Sequence, residues 1–68
     1  MSYTADIQDL IELGLSADRL AKHSKEEIAM ALCAVQESGT EAGNETRIEL
    51  GMTDKEIASH YAESALGW

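Results

Sequence analysis

The longest uninterrupted apolar stretch of this chain is the eight-residue segment 28–35, Ile-Ala-Met-Ala-Leu-Cys-Ala-Val. On an α-helix, half of these side chains share one face, and the others extend the apolar surface towards the opposite side. The shared face consists of Ile28, Ala31, Leu32 and Val35. Ser24 and Glu27 form a capping-box pattern directly before the stretch. The pattern predicts a central helix from about Lys25 to about Glu37, covered on more than one side.

The segment before this helix predicts two further helices. Thr4 can cap the first, whose apolar residues follow the i, i+3, i+4 rule. Gly14 ends it in a Schellman-type turn, after which Leu15 can pack back onto the helix. Ser16 then caps a short second helix over residues 17–22.

The segment after the central helix predicts a loop and two more helices. Residues 40–44 are interpreted as a loop or a frayed helix because glycines interrupt the pattern. Asn44 can cap a short fourth helix that runs through Leu50 and ends at Gly51. Thr53 opens a second capping box, which predicts the start of the last helix.

Two parts of the chain resemble each other. Residues 11–23 and 48–60 are identical at six of thirteen aligned positions. Either an internal duplication or a recurrent helix-glycine-cap corner explains the match. In both cases two similar helix-turn-helix corners flank the central helix and can pack on it from both sides. The expected fold is therefore an all-α single domain over residues 1–68, a small bundle of four or five short helices.

The small size of the chain favours self-association. A 68-residue domain buries only about 60% of the surface that its unfolded chain exposes. A single cysteine cannot close an internal disulfide, so we expect a homodimer to add stability. Cys33 itself is interpreted as a small apolar residue of the core. The expected dimer interface is the second face of the central helix, where small side chains permit close approach: Ala29, Cys33 and Ala34.

Charge restricts the possible partners. The formal net charge of −8 disfavours nucleic acid and anionic membranes, since both are bound through Lys and Arg. It favours a protein with a basic surface, although the charge can also serve solubility alone. The chain shows neither a leader pattern nor the ~20-residue apolar run of a membrane span, so we expect a cytoplasmic protein.

Four glutamates recur every fourth residue after the central helix. On one continuous helix they would form an acidic ridge, either a solvated face or a surface that binds Lys and Arg of a partner. Trp68 either folds back over Tyr61 or across a dimer seam, or anchors a partner. The candidate partner-binding residues are therefore Glu37, Glu41, Glu45, Glu49 and Trp68.

The sequence contains no pattern typical of catalysis or metal binding. His23, His60 and Cys33 are possible ligands, but they lack the close paired spacing of zinc sites. The acidic pairs, Asp6 with Asp9 and Glu26 with Glu27, are expected on solvent faces or at helix starts, with no glycine-lined or aromatic cleft beside them. We therefore expect no enzyme activity, no metal and no cofactor.

Residues 52–64 resemble the first helix and turn of a DNA-binding helix-turn-helix, through a Thr cap, a Glu-Ile-Ala triplet and a small residue four places on. The resemblance covers about a fifth of the chain, and only residues 65–68 follow where a recognition helix should lie. It implies a truncated or degenerate helix-turn-helix transcriptional regulator as the alternative function.

In composition, this small acidic chain resembles phage-encoded inhibitors of host machinery, including anti-CRISPR and DNA-mimic proteins. The resemblance implies a protein–protein interaction that inhibits or modulates the partner. The expected function is therefore a non-catalytic binding module that docks an acidic surface on a basic patch of another protein.

Overall fold

The computed structural model describes residues 3–68, with side chains described from Ala5 onward. Over these residues the chain forms five helices and no strand. They are α1 (Tyr3–Glu12), α2 (Ala17–Leu20), α3 (Lys25–Ser38), α4 (Glu41–Leu50) and α5 (Asp54–Leu66). The all-α class is confirmed, and α2 is shorter than the predicted helix over 17–22. Thr4 lies within α1 instead of preceding it, so it is not the cap; its side chain falls outside the described part of the chain.

The predicted capping boxes are present at the two longest helices. The backbone N–H of Glu27 donates to the Ser24 hydroxyl over 3.2 Å, and the Ser24 N–H donates to the Glu27 carboxylate over 2.8 Å. Thr53 and Glu56 make the same pair of bonds at the start of α5, at 3.1 and 2.9 Å. Both helices therefore begin where these local signals predict.

Glycine ends two of the helices in the predicted way. Gly14 and Gly51 have φ angles of 101° and 68°, a left-handed conformation that other residues adopt at a cost. After each glycine the next backbone N–H returns to the last helical turn: Leu15 bonds the Leu10 carbonyl, and Met52 bonds the Arg47 carbonyl. These are the hydrogen bonds of a Schellman motif. Both of the similar corners therefore turn through the same backbone geometry.

The start of α4 differs from the prediction. Thr40 caps the helix by accepting a hydrogen bond from the Gly43 N–H, so residues 41–44 are helical and Asn44 is not the cap. Gly43 is buried against the backbone of Ser38 at the end of α3, and a Cβ at this position would overlap the Ser38 carbonyl. The glycine that weakens helix propensity here permits the close contact between α3 and α4.

Helix α3 is central and packs most extensively against α5, with α1 on another side. The core combines apolar residues from all helices except α4, and Leu10, Leu20 and Ile28 are its largest fully buried side chains. Ile28 and Ala31 of the apolar stretch are buried, whereas Leu32 and Val35 are half-buried against the core. The other side of α3 is not covered by the described residues: it exposes Ala29, Met30 and Cys33.

Two sequence-based assignments of burial are wrong. Cys33 is exposed and is not a core residue, because the helices packed on α3 cover the opposite side. Asp6 lies in the first turn of α1, as expected for a helix start, but it does not face solvent: it is only 6% exposed, and its Oδ1 has no hydrogen-bond partner in the described structure. Asp6 precedes the buried Leu10 by one helical turn, which places both on the inward face of α1. Among residues 3–68, no helix combines the length and apolarity needed to cross a bilayer.

Candidate functional site

The acidic residues that the sequence groups into one ridge lie on two helices. Glu37 belongs to α3, and the chain turns at residues 39–40 before α4 begins. The ridge is therefore interrupted between Glu37 and Glu41, in agreement with the predicted end of the central helix near Glu37. Glu41, Glu45 and Glu49 remain together, exposed and four residues apart along α4, which places them on one side of that helix.

The same side of α4 carries an exposed isoleucine. Ile48 follows Glu45 by three residues and Glu41 by seven, so it lies among the glutamates on the helix surface. Its side chain is 64% exposed. We call these four residues the α4 face: Glu41, Glu45, Ile48 and Glu49. Ile48 is not among the binding residues predicted from the sequence, although its spacing from the glutamates indicates a position on the same side of the helix.

Little of α4 is covered by the rest of the chain. Gly43 is its only buried residue, and Leu50 at its end is 55% exposed. The helix is held by the close contact of Gly43 with Ser38 and by polar bonds at its end. The α4 face is therefore presented outward on a fixed helix.

Arg47 is the only cation of α4, and it serves the corner between α4 and α5. Its guanidinium donates to the Asn44 side-chain oxygen over 2.9 and 3.1 Å and to the Met52 carbonyl over 3.3 Å. It also pairs with Asp54 at 3.2 Å. The ion pairs of the described residues are Arg47–Asp54 and His23–Glu27. Neither of them includes a glutamate of the α4 face.

Trp68 folds back on the chain, but not onto Tyr61. Its indole Nε1 donates a hydrogen bond of 2.8 Å to Nε2 of His23. The Arg19 guanidinium carbon lies 4.1 Å from the centre of the indole ring, a cation–π arrangement. Gly67 permits this by adopting a φ of 80°. The half-buried Trp68 thus closes one end of the core.

The structure does not bring Trp68 together with the α4 face. His23 precedes α3, whereas α4 follows it. A helix of the 14 residues of α3 is about 21 Å long, and it separates the two. The predicted set of partner-binding residues therefore comprises two distant places, of which only the α4 face is both acidic and open.

His23 connects Trp68 to the cap of α3. Its Nδ1 lies 3.6 Å from a carboxylate oxygen of Glu27. The pKa of Glu27 is lowered from its ordinary value, first by the hydrogen bond from the Ser24 backbone, then by the Ser24 hydroxyl, and further by His23. Hydrogen bonds that the carboxylate accepts stabilise its ionised form.

The remaining candidate residues are dispersed. His23 contacts Trp68, His60 lies exposed beside Tyr61, and Cys33 is exposed on α3. Residues 3–68 contain no group of three or more His, Cys, Asp or Glu side chains able to hold a metal ion. Of the predicted dimer residues, Ala29 and Cys33 are exposed, whereas Ala34 is half-buried and lines a cavity of about 280 Å³ against α5.

Helix α5 runs as a single helix from Asp54 to Leu66. It has no turn at residues 62–64, where the sequence resemblance would place the turn of a helix-turn-helix. The chain matches no family model, no curated protein and no solved structure.

Proposed function

We propose that this protein is a non-catalytic binding module whose α4 face docks on a basic patch of another protein and inhibits or modulates it. The observation that carries the proposal is an exposed Ile48 on the side of α4 that carries three glutamates, none of which takes part in the ion pairs of the described residues. An apolar side chain within an acidic surface suits a partner that offers an apolar contact flanked by Lys or Arg.

The two components of this face would act differently. Covering Ile48 would contribute about 1.5–3 kcal/mol through burial of apolar surface. The glutamates would mainly accelerate association and exclude acidic competitors, because exposed ion pairs contribute only about 0.2–1 kcal/mol each. Since Gly43 fixes α4 against α3, the face is already ordered before binding, which limits the entropy lost on association.

A pair of charge-matched variants tests the proposal. Glu41→Lys/Glu45→Lys reverses charge on the α4 face, and Asp18→Lys/Glu26→Lys makes the same change in net charge near the other end of α3. Each protein is immobilised and used to capture proteins from a lysate of the organism that encodes it, at low and high salt, with quantitative mass spectrometry. We expect the wild type and the control variant to retain the same basic proteins. The α4 variant should retain about tenfold less of each of them. Equal retention by the α4 variant, or retention unaffected by salt, would refute the proposal.

We also propose a homodimer formed through the exposed side of α3. Ala29 and Cys33 lie one turn apart on this side, and Met30 beside them is 61% exposed. Sedimentation equilibrium of the wild type and of Ala29→Glu tests this. The wild type should sediment as a dimer and the variant as a monomer; a monomeric wild type at micromolar concentration would contradict the proposal.

The alternative is the truncated or degenerate helix-turn-helix regulator. It is less favoured because the exposed positions of α5 include Asp54, Glu56 and Glu63, and phosphates would be repelled by these carboxylates. A gel shift with genomic fragments distinguishes the two functions, since sequence-specific retention would reverse this ranking.

A further inference from the structure

A second acidic and apolar surface lies between α1 and α3. It is a groove of about 390 Å³ with an apolar floor and a polar rim. The floor consists of the half-buried side chains of Leu13, Leu32 and Val35, and the exposed rim consists of Asp9, Glu12 and Gln36. Its volume is at the lower end of the range for ligand pockets, and it can hold one large side chain.

The rim charges are unfavourable in the isolated chain. Glu12 is the last residue of α1, where the partial negative charge of the helix dipole repels a carboxylate, and the last turn contains no basic residue. Asp9 lies one turn earlier, so the two carboxylates also repel each other. Neither takes part in the ion pairs of the described residues. A cation placed at this rim would relieve both repulsions.

We propose that this groove binds a basic amphipathic helix of a partner protein, which inserts one large apolar side chain between α1 and α3 and places Lys or Arg beside Asp9 and Glu12. A second copy of this chain fits less well because each copy carries a net charge of −8, and an anionic membrane is disfavoured for the same reason. The groove and the α4 face lie on different helices, so this proposal does not depend on the function assigned to α4.

The test uses a defined probe. An alanine-based helical peptide carries one leucine, with lysines beside it on the same face; a second version has Lys replaced by Gln, and a third has Leu replaced by Ala. Each is titrated into the methyl-labelled protein, and NMR shifts are recorded for the methyl groups of Leu13, Leu32, Val35 and Ile48. The proposal predicts saturable shifts at the three floor residues with the first peptide, and much weaker binding of the other two.

Variants of the rim residues test whether their charges contribute to binding of the lysine peptide. Asp9→Asn/Glu12→Gln neutralises the rim at exposed positions and should weaken binding of the lysine peptide by about fivefold. The matched control, Asp18→Asn/Glu26→Gln, makes the same charge change at exposed positions outside the groove and the α4 face, and it should leave the affinity unchanged. The proposal is overturned if the floor methyl groups do not shift, if the shifts appear at Ile48 instead, or if the rim variant binds as tightly as the wild type. A failure of the α4 proposal would leave these shifts unaffected, so the two tests are separable.

Discussion

The Trp68 indole donates a hydrogen bond to His23, and this contact joins residues 45 positions apart in the sequence. It closes the end of the antiparallel pair α3 and α5, because His23 directly precedes the cap of α3 and Trp68 directly follows the end of α5. The Arg19 guanidinium lies over the indole ring. The aromatic residue that the sequence offered as a binding anchor is thus engaged within the chain.

The two histidines, which occupy equivalent positions in the similar segments, should differ in their effect on stability. His23→Ala removes the acceptor of the Trp68 indole and should lower the free energy of unfolding by about 1 kcal/mol. His60→Ala is the control: His60 is exposed, and its replacement should change stability by no more than about 0.5 kcal/mol. Urea denaturation followed by far-UV circular dichroism measures both. Equal effects would show that the Trp68 contact adds nothing to stability.

Two glycines near the turn between α3 and α4 should respond differently to a methyl group. Gly43→Ala should destabilise the protein by roughly 1–3 kcal/mol through overlap with the Ser38 backbone, despite the higher helix propensity of alanine. At Gly39 a Cβ would lie 3.5 Å from the Gln36 carbonyl oxygen, an ordinary contact, so Gly39→Ala should remain within about 0.5 kcal/mol of the wild type. Thermal unfolding compares the two, and a stable Gly43→Ala protein would disprove the close packing of α4 on α3.

The cap of α3 should contribute to acid sensitivity. The pKa of Glu27 is below its ordinary value of 4.5 in the folded chain. Its ionised form therefore stabilises the fold above that pH, and the contribution is lost as the pH falls through the lowered pKa. Glu27→Gln keeps an oxygen for the Ser24 N–H but cannot ionise, so its stability should depend less on pH below 4.5. Glu26→Gln, one residue earlier, should retain the wild-type pH dependence in denaturation curves. If both variants behave alike, Glu27 is not the titrating group.

Ile48 should be important for binding and unimportant for folding. Because its side chain is 64% exposed, Ile48→Lys should change the free energy of unfolding by no more than about 0.5 kcal/mol. The half-buried Leu32 gives the contrast, since Leu32→Ala removes core contacts and should cost at least about 1 kcal/mol. Chemical denaturation measures both variants. A large loss of stability in Ile48→Lys would mean that α4 packs more closely than its exposure indicates.

Local signals predict most of the fold because they act within a few residues. The capping boxes at Ser24 and Thr53 and the left-handed glycines Gly14 and Gly51 involve hydrogen bonds between neighbours in the chain, so their positions are readable from the sequence. The start of α4 cannot be predicted from local signals in this way. Gly43 lowers helix propensity, and a glycine is required at this position only because the Ser38 backbone lies close to it.

The candidate site could be predicted only in part, because only its local features leave a pattern in the sequence. The spacing of Glu41, Glu45 and Glu49 correctly places them on one side of a helix. The predicted end of the central helix near Glu37 also separates this residue from the α4 glutamates. The contact of Trp68 with His23, in contrast, depends on how α5 packs against α3. Such long-range contacts leave no periodic signal in the sequence.

Site-specific photocrosslinking tests the binding role of the α4 face most directly. A photoreactive amino acid is placed at Ile48 and, as a matched control, at the exposed Ala17 of α2, and the proteins are irradiated in the native lysate. The account predicts that Ile48 crosslinks to a basic protein, that added salt or Glu41→Lys/Glu45→Lys removes the crosslink, and that position 17 does not form it. The same product from both positions, or a crosslink at Ile48 that survives charge reversal, would contradict the account.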